Sequence, residues 1–279
     1  MNKEIKDDLT PIEIHNNIYF KRDDLYQIMS VNGGKLRQCY YLIKSIKDQY
    51  DGVIGCCSIY SPQAPITATI SKYFGLKCII CYGATNQERL NSLPMPKLAK
   101  ENNAELRIIS KSGIHKILYN KAKKIAEKEN LFVVDYGFNI IDYPNIMYNA
   151  VSNQVENIPN ELDNLVITCG SGITTIGVML GIKKFNKKVK KMYLVATAPS
   201  RKNLIDKVMA ENDIHIDYEI IDLFHQKGFK YEKGLRQSCD GIVFHPNYEA
   251  KTYDWLIHNL DYKNEKTLMW IVGGEPKWI

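Results

Sequence analysis

The sequence lacks several features that would point to particular protein classes. Its 279 residues contain no run of about 18 apolar residues, the length that a helix needs to cross a bilayer. The first ten residues, MNKEIKDDLT, lack the apolar core of a secretory signal peptide. No internal repeat or low-complexity linker divides the chain. We therefore expect a soluble, cytoplasmic protein with no membrane partner.

Arginine is scarce, and the sequence has no block of basic residues interleaved with aromatic residues. Six arginines stand against 31 lysines in a chain of net charge +6. Most lysines lie in amphipathic stretches such as IHKILYNKAKKIAEKEN at 114–130, a pattern typical of solvated helix faces. The charge pattern therefore does not require nucleic-acid binding, although the positive balance would suit anionic ligands.

Cysteine is limited to seven residues, an odd number. Most lie in apolar runs such as GVIGCCSIY and LKCIICYG, which indicates buried, reduced thiols in strands. Cys78 and Cys81 form a CxxC pair that could bind zinc or act in redox chemistry, but no second pair or histidine cluster accompanies them. Because a three-residue step in a strand directs side chains to opposite faces, we predict core thiols and no metal site.

Apolar runs typical of buried strands alternate with 3.6-residue helical patterns over most of the chain. Parallel sheets covered on both faces require this alternation, so we predict an α/β doubly wound architecture. The segment 138–151, which contains Pro144, is the predicted crossing between two lobes. The eight runs are 51–57, 76–82, 104–110, 131–136, 164–170, 191–198, 240–245 and 267–274.

The first candidate site is the segment YFKRDDLYQIMSVNGGKLRQCYYL, residues 19–42, in which Gly33 and Gly34 precede Lys35. The glycines interrupt the preceding segment, and a helical pattern begins at Lys35. The helix dipole and partial burial would both lower the pKa of the Lys35 amine toward the neutral form that a Schiff-base lysine needs. A solvated lysine at the start of a surface helix remains an alternative.

The second candidate site is VITCGSGITTIGVML, residues 166–180, where an apolar strand ends in a glycine turn and a helix begins. Backbone N–H groups and the helix dipole converge on an anion in such a turn. The loop lacks the Gly-Lys-Ser/Thr ending of a P-loop and the position of a dinucleotide-binding motif. We predict that it is a phosphate cradle, formed by Gly170, Ser171, Gly172, Ile173, Thr174 and Thr175.

The third candidate site is DGIVFHPNYEAKTYDWL, residues 240–256, where a predicted strand leads into a loop containing Tyr248 and Glu249. Loops at the carboxyl ends of parallel strands line the ligand crevice in such sheets. The alternative is a packed tyrosine at a helix start, followed by a glutamate that the helix dipole favours.

Taken in order, these segments resemble one enzyme family. The chain resembles the pyridoxal-phosphate-dependent enzymes of fold type II, and within them the branch of 1-aminocyclopropane-1-carboxylate deaminase and D-cysteine desulfhydrase. The resemblance covers nearly the whole chain and implies a homodimer with pyridoxal 5′-phosphate as cofactor. The matching segments are KRDDL (21–25), GGK (33–35), SPQAPITATISKYFGLKCII (61–80), GSGITTIG (170–177), HPNYEAKTYDWL (245–256) and MWIVGGEP (269–276).

The resemblance implies a role for each candidate residue. Lys35 matches the lysine that forms an aldimine with the cofactor, and the loop 170–175 matches the phosphate cradle. Tyr248 matches the active-site tyrosine, and Glu249 matches the acidic residue near the pyridine nitrogen. Ser61 and Gln63 fall in the substrate loop. The implied domains are a large cofactor-binding domain, 1–36 and 148–279, and a smaller inserted α/β domain, 37–147.

The chain departs from the family pattern in three motifs. Pro62 replaces the asparagine that bonds the cofactor's ring hydroxyl, and proline has no donor. The family's Gly-Gly-Asn-Lys is Asn32-Gly33-Gly34-Lys35 in this chain, and its Asp-Pro is His245-Pro246. The chain is also shorter than is usual for the family. We therefore expect a remote member whose reaction differs in detail.

The resemblance implies an enzyme that acts on a small amino-acid-like amine, by β-elimination or deamination that releases ammonia and a keto acid. Lys35 or Tyr248 would move the protons. One alternative is a decarboxylase or lyase that acts on an amino acid attached to a nucleotide base, of the kind viruses build into DNA. The other is a protein that binds pyridoxal phosphate without turnover.

Overall fold

A computed structural model of the chain describes residues 8–138 and 143–273. The strands in these residues are β1 (Ile12–His15), β2 (Ile18–Arg22), β3 (Gln27–Ile28), β4 (Val31–Asn32), β5 (Gly52–Cys56), β6 (Lys77–Gly83), β7 (Glu105–Ser110), β8 (Leu131–Val134), β9 (Glu161–Cys169), β10 (Lys188–Ala196), β11 (Tyr218–Asp222), β12 (Ser238–Cys239), β13 (Ile242–Val243) and β14 (Thr267–Ile271). The α-helices are α1 (Lys35–Ile46), α2 (Gln63–Phe74), α3 (Gln87–Ser92), α4 (Pro94–Glu101), α5 (His115–Glu129), α6 (Pro144–Ser152), α7 (Ile173–Lys184), α8 (Lys202–Glu211) and α9 (Glu249–Asn259). Short 3-10 helices span Asp23–Leu25, Tyr136–Phe138 and Asn153–Val155.

The chain forms two compact units. Among the described residues, unit 1 includes 28–31, 35–138 and 143–147, and unit 2 includes 8–27, 32–34 and 148–273. The division into a cofactor-binding domain and an inserted domain at residues 37 and 147 stays a prediction.

Unit 1 contains a four-stranded parallel sheet in the order β7-β6-β5-β8. Helix α5 covers one face, where Leu118 and Ala122 pack against Ile54 and Ile79. Helix α2 contacts β5 and β6, and α1 packs against α2. Both faces of the sheet are therefore covered, as the near-continuous apolar strands predict.

The CxxC pair illustrates how the two faces of this sheet differ. Cys81 packs in the cluster under α5, whereas the Cys78 thiol is hydrogen bonded to Ser71 of α2. Burial raises the pKa of Cys78 to about 12. All seven cysteines are buried and free of disulfides. The prediction of core thiols on opposite faces of a strand is confirmed.

Unit 2 contains a six-stranded sheet in the order β1-β2-β14-β9-β10-β11. Strands β1 and β2 are antiparallel, and all other neighbours are parallel. Helix α9 lies against β9, where the buried hydroxyls of Thr168 and Thr252 are hydrogen bonded at 2.6 Å. The mixed α/β fold with parallel cores is the predicted one.

The predicted runs match the strands with one clear exception. Seven of the eight contain strands of the two parallel sheets, although residue 274 of the last run lies outside the described residues. The run 240–245 is different, since only Ile242–Val243 is a strand and it pairs with Ser238–Cys239 in a two-residue antiparallel ribbon. None of the described helices has the length and apolar character needed to cross a bilayer.

Candidate active site

The two glycines before Lys35 occupy positions where a side chain does not fit. Gly33 has φ +112°, in a region that favours glycine. A Cβ atom at Gly34 would lie 2.3 Å from Oδ2 of Asp23. The Gly34 N–H donates to the carbonyl of Val272 at 2.7 Å. The glycines therefore let the chain pass closely beside the end of β14 just before α1 begins at Lys35.

Within unit 1, Lys35 lies near a loop that follows β8. Its Nζ is 6.0 Å from the ring centre of Phe138, a fully buried residue. The neighbouring Gly137 N–H donates to Oε1 of Gln63 at 2.7 Å, and Nε2 of Gln63 donates to the carbonyl of Asp135 at 2.8 Å. Both ends of the Gln63 amide thus position the loop beside Lys35. Substrate contact by Gln63 stays a prediction.

Ser61 and Pro62 form the entry to helix α2. The Ser61 Oγ accepts a hydrogen bond from the Gln63 N–H at 3.2 Å. Pro62 is the N-cap, with φ −66° and ψ −9°, and its side chain makes no capping bond. The helix start therefore offers N–H groups and the Ser61 hydroxyl to a carboxylate. The roles of Ser61 and Gln63 in substrate binding stay predictions.

In unit 2, the predicted phosphate cradle lies between the end of β9 and the start of α7. Gly172 caps α7 with φ +85°, and a Cβ there would lie 3.3 Å from Cβ of Arg201. A Cβ at Gly170 would meet no atom within 4 Å, so there is open space beside the loop. The first N–H groups of α7 have no partners within the helix. The loop can therefore receive an anion.

Two buried hydroxyls, one in the cradle and one next to it, lack a partner among the described residues. The Oγ1 atoms of Thr175 and Thr197 are buried and make no hydrogen bond to the described residues. The Thr197 N–H donates to the carbonyl of Cys169 at 3.3 Å, which brings the end of β10 beside the end of β9. Buried hydroxyls in folded proteins normally have a partner. These two hydroxyls and the helix start match the needs of a phosphate group.

Sequence reasoning missed Thr197 and Arg201. The Arg201 Nε is also buried without a partner among the described residues. Thr197 lies at the end of the strand predicted at 191–198, and Arg201 follows that strand within the segment TAPSRK (197–202). Because neighbouring parallel strands end at the same edge of a sheet, the segment after this strand could have been identified as a neighbour of the cradle.

Glu249 is buried at the start of α9. Its Oε1 accepts a hydrogen bond from the Gly273 N–H at 3.2 Å. Burial raises the pKa of this carboxyl to about 8, and the nearby charge of Asp24 adds to the effect. Glu249 therefore holds a proton at neutral pH. The backbone at 272–273 thus contacts both Glu249 and Gly34, the residue before Lys35.

Tyr248 precedes Glu249 and pairs with a second tyrosine that sequence reasoning missed. Its hydroxyl is hydrogen bonded to the Tyr231 hydroxyl, and the two rings meet edge to face with centroids 5.7 Å apart. His245 packs on Tyr248 with centroids 4.8 Å apart. Burial lowers the pKa of His245 to about 4, so its imidazole is neutral at pH 7. Tyr231 lies in an irregular segment with no strand or helix pattern to identify it.

The candidate residues of unit 2 share one edge of its sheet. The cradle follows β9, Thr197 follows β10, and the backbone that holds Glu249 follows β14. These strands are parallel neighbours, so their carboxyl ends lie side by side. Ligands bind at this edge in open α/β sheets.

The chemistry of these groups suits a phosphorylated cofactor better than a metal. Within residues 8–138 and 143–273, no group of three or more His, Cys, Asp and Glu side chains could hold a metal ion. The cradle, the two unpaired hydroxyls and a protonated carboxyl would instead hold a phosphate and the nitrogen of an aromatic ring. A lysine at a helix start could bind an aldehyde.

Comparisons with known proteins agree with this chemistry. The family model described as pyridoxal-phosphate dependent enzyme matches residues 8–229. The chain is 23% identical to the O-seryl-dTMP PLP-dependent decarboxylase of Salmonella phage ViI, over 95% of this chain and 80% of that protein. It is 21% identical to the 1-aminocyclopropane-1-carboxylate deaminase of Cyberlindnera saturnus, over 93% and 86%.

A solved structure described as an ACC deaminase homologue has the same fold. Its TM-score is 0.77 at 22% identity, and the match covers 96% of this chain and 90% of that one. The last segment of the resemblance, at 269–276, is described only as far as residue 273. With the family model matched over most of its length, the chain belongs to the pyridoxal-phosphate-dependent enzymes of fold type II, and its cofactor is pyridoxal 5′-phosphate.

Proposed function

We propose that Lys35 binds the cofactor aldehyde covalently and that the enzyme acts on an amino-acid-like amine. The cradle 170–175, with the hydroxyls of Thr175 and Thr197, would bind the cofactor phosphate. Glu249 would direct its proton to the ring nitrogen. When bound, the ring, with its nitrogen hydrogen bonded to this acid, would withdraw electrons from the substrate carbon next to the amine.

The observation that carries this proposal is the position of Glu249. Burying a carboxyl group costs folding free energy. Carboxyls whose pKa is strongly raised by burial, as that of Glu249 is, cluster at functional sites. Its Oε1 is bonded to Gly273, and the adjoining Val272 carbonyl accepts from Gly34. An acid for the ring nitrogen and the turn leading to the covalent lysine are thereby held by one short stretch of backbone.

For the reaction, we propose β-elimination or deamination, which releases ammonia and a keto acid. With a substrate that carries an α-hydrogen, such as D-cysteine, the Lys35 amine would take that proton. 1-Aminocyclopropane-1-carboxylate has no α-hydrogen, so there Lys35 or Tyr248 would instead move protons at the ring methylene carbons. The Tyr248 hydroxyl, which is paired with Tyr231, would deliver a proton to the leaving group or carbon chain. Ser61 and the N–H groups at the start of α2 would hold the substrate carboxylate.

The test is an assay of the purified holoenzyme with 1-aminocyclopropane-1-carboxylate and with D-cysteine. Formation of ammonia together with a keto acid supports the proposal, and Tyr248→Phe should lower kcat with a smaller change in KM. Cofactor bound to the protein without turnover of any amine would instead support the non-catalytic alternative. A homodimer and a cytoplasmic location stay predictions from the resemblance.

A second candidate is decarboxylation of an amino acid attached to a nucleotide. The similarity to the phage decarboxylase extends over 95% of this chain and favours this candidate. In this reaction the substrate carboxylate leaves as carbon dioxide, and a protein acid returns one proton to the α-carbon. Release of carbon dioxide from O-seryl-dTMP, without ammonia, would select decarboxylation. Ammonia release from free amino acids alone would select elimination or deamination.

A further inference from the structure

Unit 2 contains a lysine-lined cavity outside the groups assigned above. Its volume is about 510 Å³, within the usual size range of ligand pockets, roughly 300–1,000 Å³. It lies between the irregular segment 223–235 and helix α9. We call it the lysine pocket, and its main lining side chains are Lys227, Phe229, Lys230, Lys233, Lys251 and Trp255.

The ammonium groups of the lysine pocket are largely uncompensated. Lys227, Lys230 and Lys233 make no side-chain hydrogen bond or ion pair with any residue in the described part of the chain. The pocket contains one carboxylate, that of Asp254, and this group accepts a hydrogen bond from Nε2 of Gln237 at 2.9 Å. Three lysines are therefore available to an anion.

Lys251 attaches the irregular segment to the helix of the candidate active site. It lies in the first turn of α9, and its Nζ donates to the carbonyls of Lys230 and Tyr231 at 3.2 and 3.3 Å. The same Nζ is 4.4 Å from the ring centre of Phe229, a cation–π distance. Asn247 Nδ2 also donates to the Tyr231 carbonyl at 2.7 Å. The segment is thus held in one position.

This attachment connects the lysine pocket with Tyr248. The segment that carries Lys230 and Lys233 also carries Tyr231, whose hydroxyl is bonded to that of Tyr248. The segment that lines the lysine pocket therefore also contacts the candidate catalytic tyrosine.

A second lysine-lined cavity in unit 2 shows that lysines without partners do not follow from the high lysine content alone. Four lysines line that cavity, and each ammonium there has a partner. Lys183 contacts Asp213, Lys187 donates to Asn160, and the remaining two form ion pairs: Lys188 with Glu161 and Lys190 with Asp163. The four lysines of that cavity are therefore paired, whereas Lys227, Lys230 and Lys233 of the lysine pocket have no side-chain partner among the described residues.

We propose that the lysine pocket binds the phosphate of a nucleotide to which the substrate amine is attached. Compact ammonium groups suit phosphate oxygens, and Phe229 offers a ring on which a base can stack. The inference rests on the proposed function and specifies its substrate class. The phosphate belongs either to a free mononucleotide or to a DNA strand, and the two share the chemistry that the pocket recognises.

The test is binding to the holoenzyme of dTMP and of a short single-stranded oligothymidylate, measured over a range of salt concentrations. The pocket variant is Lys227→Gln/Lys230→Gln/Lys233→Gln. The control variant is Lys123→Gln/Lys124→Gln/Lys128→Gln, which removes the same charge from exposed lysines of α5. Thermal unfolding of each variant checks that the fold is retained, and Lys230→Gln alone is used if the triple variant unfolds.

We expect the pocket variant to bind oligothymidylate about tenfold or more weakly and to have a salt slope shallower by about 2, or ~0.7 for each lost phosphate contact with a single strand. The control variant should bind as the wild type does. Binding of dTMP with similar affinity would identify a mononucleotide substrate, and binding of the oligomer alone would identify a DNA strand.

Three results would overturn the inference. The first is that a wild-type holoenzyme carrying its cofactor binds no nucleotide. The second is that the pocket and control variants lose the same oligothymidylate affinity. The third is that polyglutamate of the same length binds as tightly as oligothymidylate. Each of these results would leave the first proposed reaction, on a free amino acid, standing. The proposed function fails separately if the wild type does not bind its cofactor through Lys35.

Discussion

Unit 2 has two regions suited to phosphate, and they are built in opposite ways. The cradle at 170–175 is formed by backbone N–H groups, a glycine with positive φ and two buried hydroxyls. The lysine pocket is formed by exposed ammonium groups on an irregular segment. Backbone groups hold an anion at one fixed position, whereas lysines on flexible stems attract anions of varied shape.

This difference predicts opposite sensitivities. A region built from backbone should be disrupted by one added methyl group, and salt should affect it little because its donors are buried. A region built from exposed charges should tolerate substitution and should weaken steeply with salt. The following predictions test this contrast, in order of decreasing effect.

The largest effect is expected from Gly34→Ala. The new Cβ would lie 2.3 Å from Asp23 Oδ2, and Asp23 is buried and hydrogen bonded to Trp270 Nε1 at 3.2 Å. Overpacking of this kind costs about 1–3 kcal/mol or more. Thermal unfolding should show a large loss of stability, or the protein should fail to fold. Unchanged unfolding would show that the turn before Lys35 adapts easily.

Gly170→Ala is the matched substitution within the cradle. Its Cβ meets no protein atom within 4 Å, and its φ is not positive, so folding stability should be unchanged. If phosphate occupies this space, the methyl group displaces it from charge-assisted bonds worth about 2 kcal/mol, roughly a thirtyfold loss of cofactor affinity. Equilibrium titration of the apoenzyme with pyridoxal phosphate measures this loss. Wild-type affinity would contradict the assignment of the cradle.

Salt should separate the two regions in the wild type. A fourfold rise in salt should weaken oligothymidylate binding about twentyfold if three lysines contact phosphates of a single strand. Cofactor retained through a covalent bond and buried donors should change little over the same range. Fluorescence anisotropy and cofactor absorbance measure the two quantities in one sample. If oligothymidylate binding and cofactor retention depended on salt to a similar degree, the proposed difference between the two regions would be wrong.

Glu249→Gln should change how stability depends on pH. In the folded apoenzyme the pKa of Glu249 is raised to about 8 by burial, above an ordinary value of about 4.3 in the unfolded chain. The wild type therefore loses stability as pH rises from the ordinary carboxyl range through 8, because ionisation of the folded carboxyl is unfavourable. The amide side chain of the variant cannot ionise.

The melting temperature of Glu249→Gln should thus exceed that of the wild type by a margin that grows by several degrees between pH 5 and pH 9. Melting curves of the two apoenzymes at pH 5, 7 and 9 give this margin directly. A constant margin over this range would mean that Glu249 is already ionised in the fold.

The sequence predicted the strands of the two parallel sheets well because their apolar runs are nearly continuous. Val53 and Ile54, for example, lie on opposite faces of β5 and are both fully buried. The prediction of a strand over 240–245 was wrong in its first residues because Asp240 and Gly241 have φ +44° and +88°, which makes a tight turn. The edge strands β1 and β11 were missed because they are largely half-buried and form no continuous apolar run. Strand β2 lies inside the sheet and was missed because it is short and ends in Lys21 and Arg22.

The candidate site was predictable where a short motif carries it. The double glycine before Lys35 and the glycine turn of the cradle depend on local backbone geometry, which is determined by residues adjacent in the sequence. Tyr231 and Thr197 were missed because they reach Tyr248 and the cradle only through folding. The lysine pocket was missed for a related reason, since whether a lysine is paired depends on residues distant in the chain, such as Lys183 and Asp213.

The most direct test of the account is to identify the lysine that holds the cofactor. Holoenzyme is reduced with borohydride, digested and analysed by mass spectrometry, with Lys35→Ala as the control. We expect the reduced pyridoxyl phosphate group on Lys35 in the wild type and on no lysine in the variant. A modified lysine elsewhere in the wild type, or none, would contradict it.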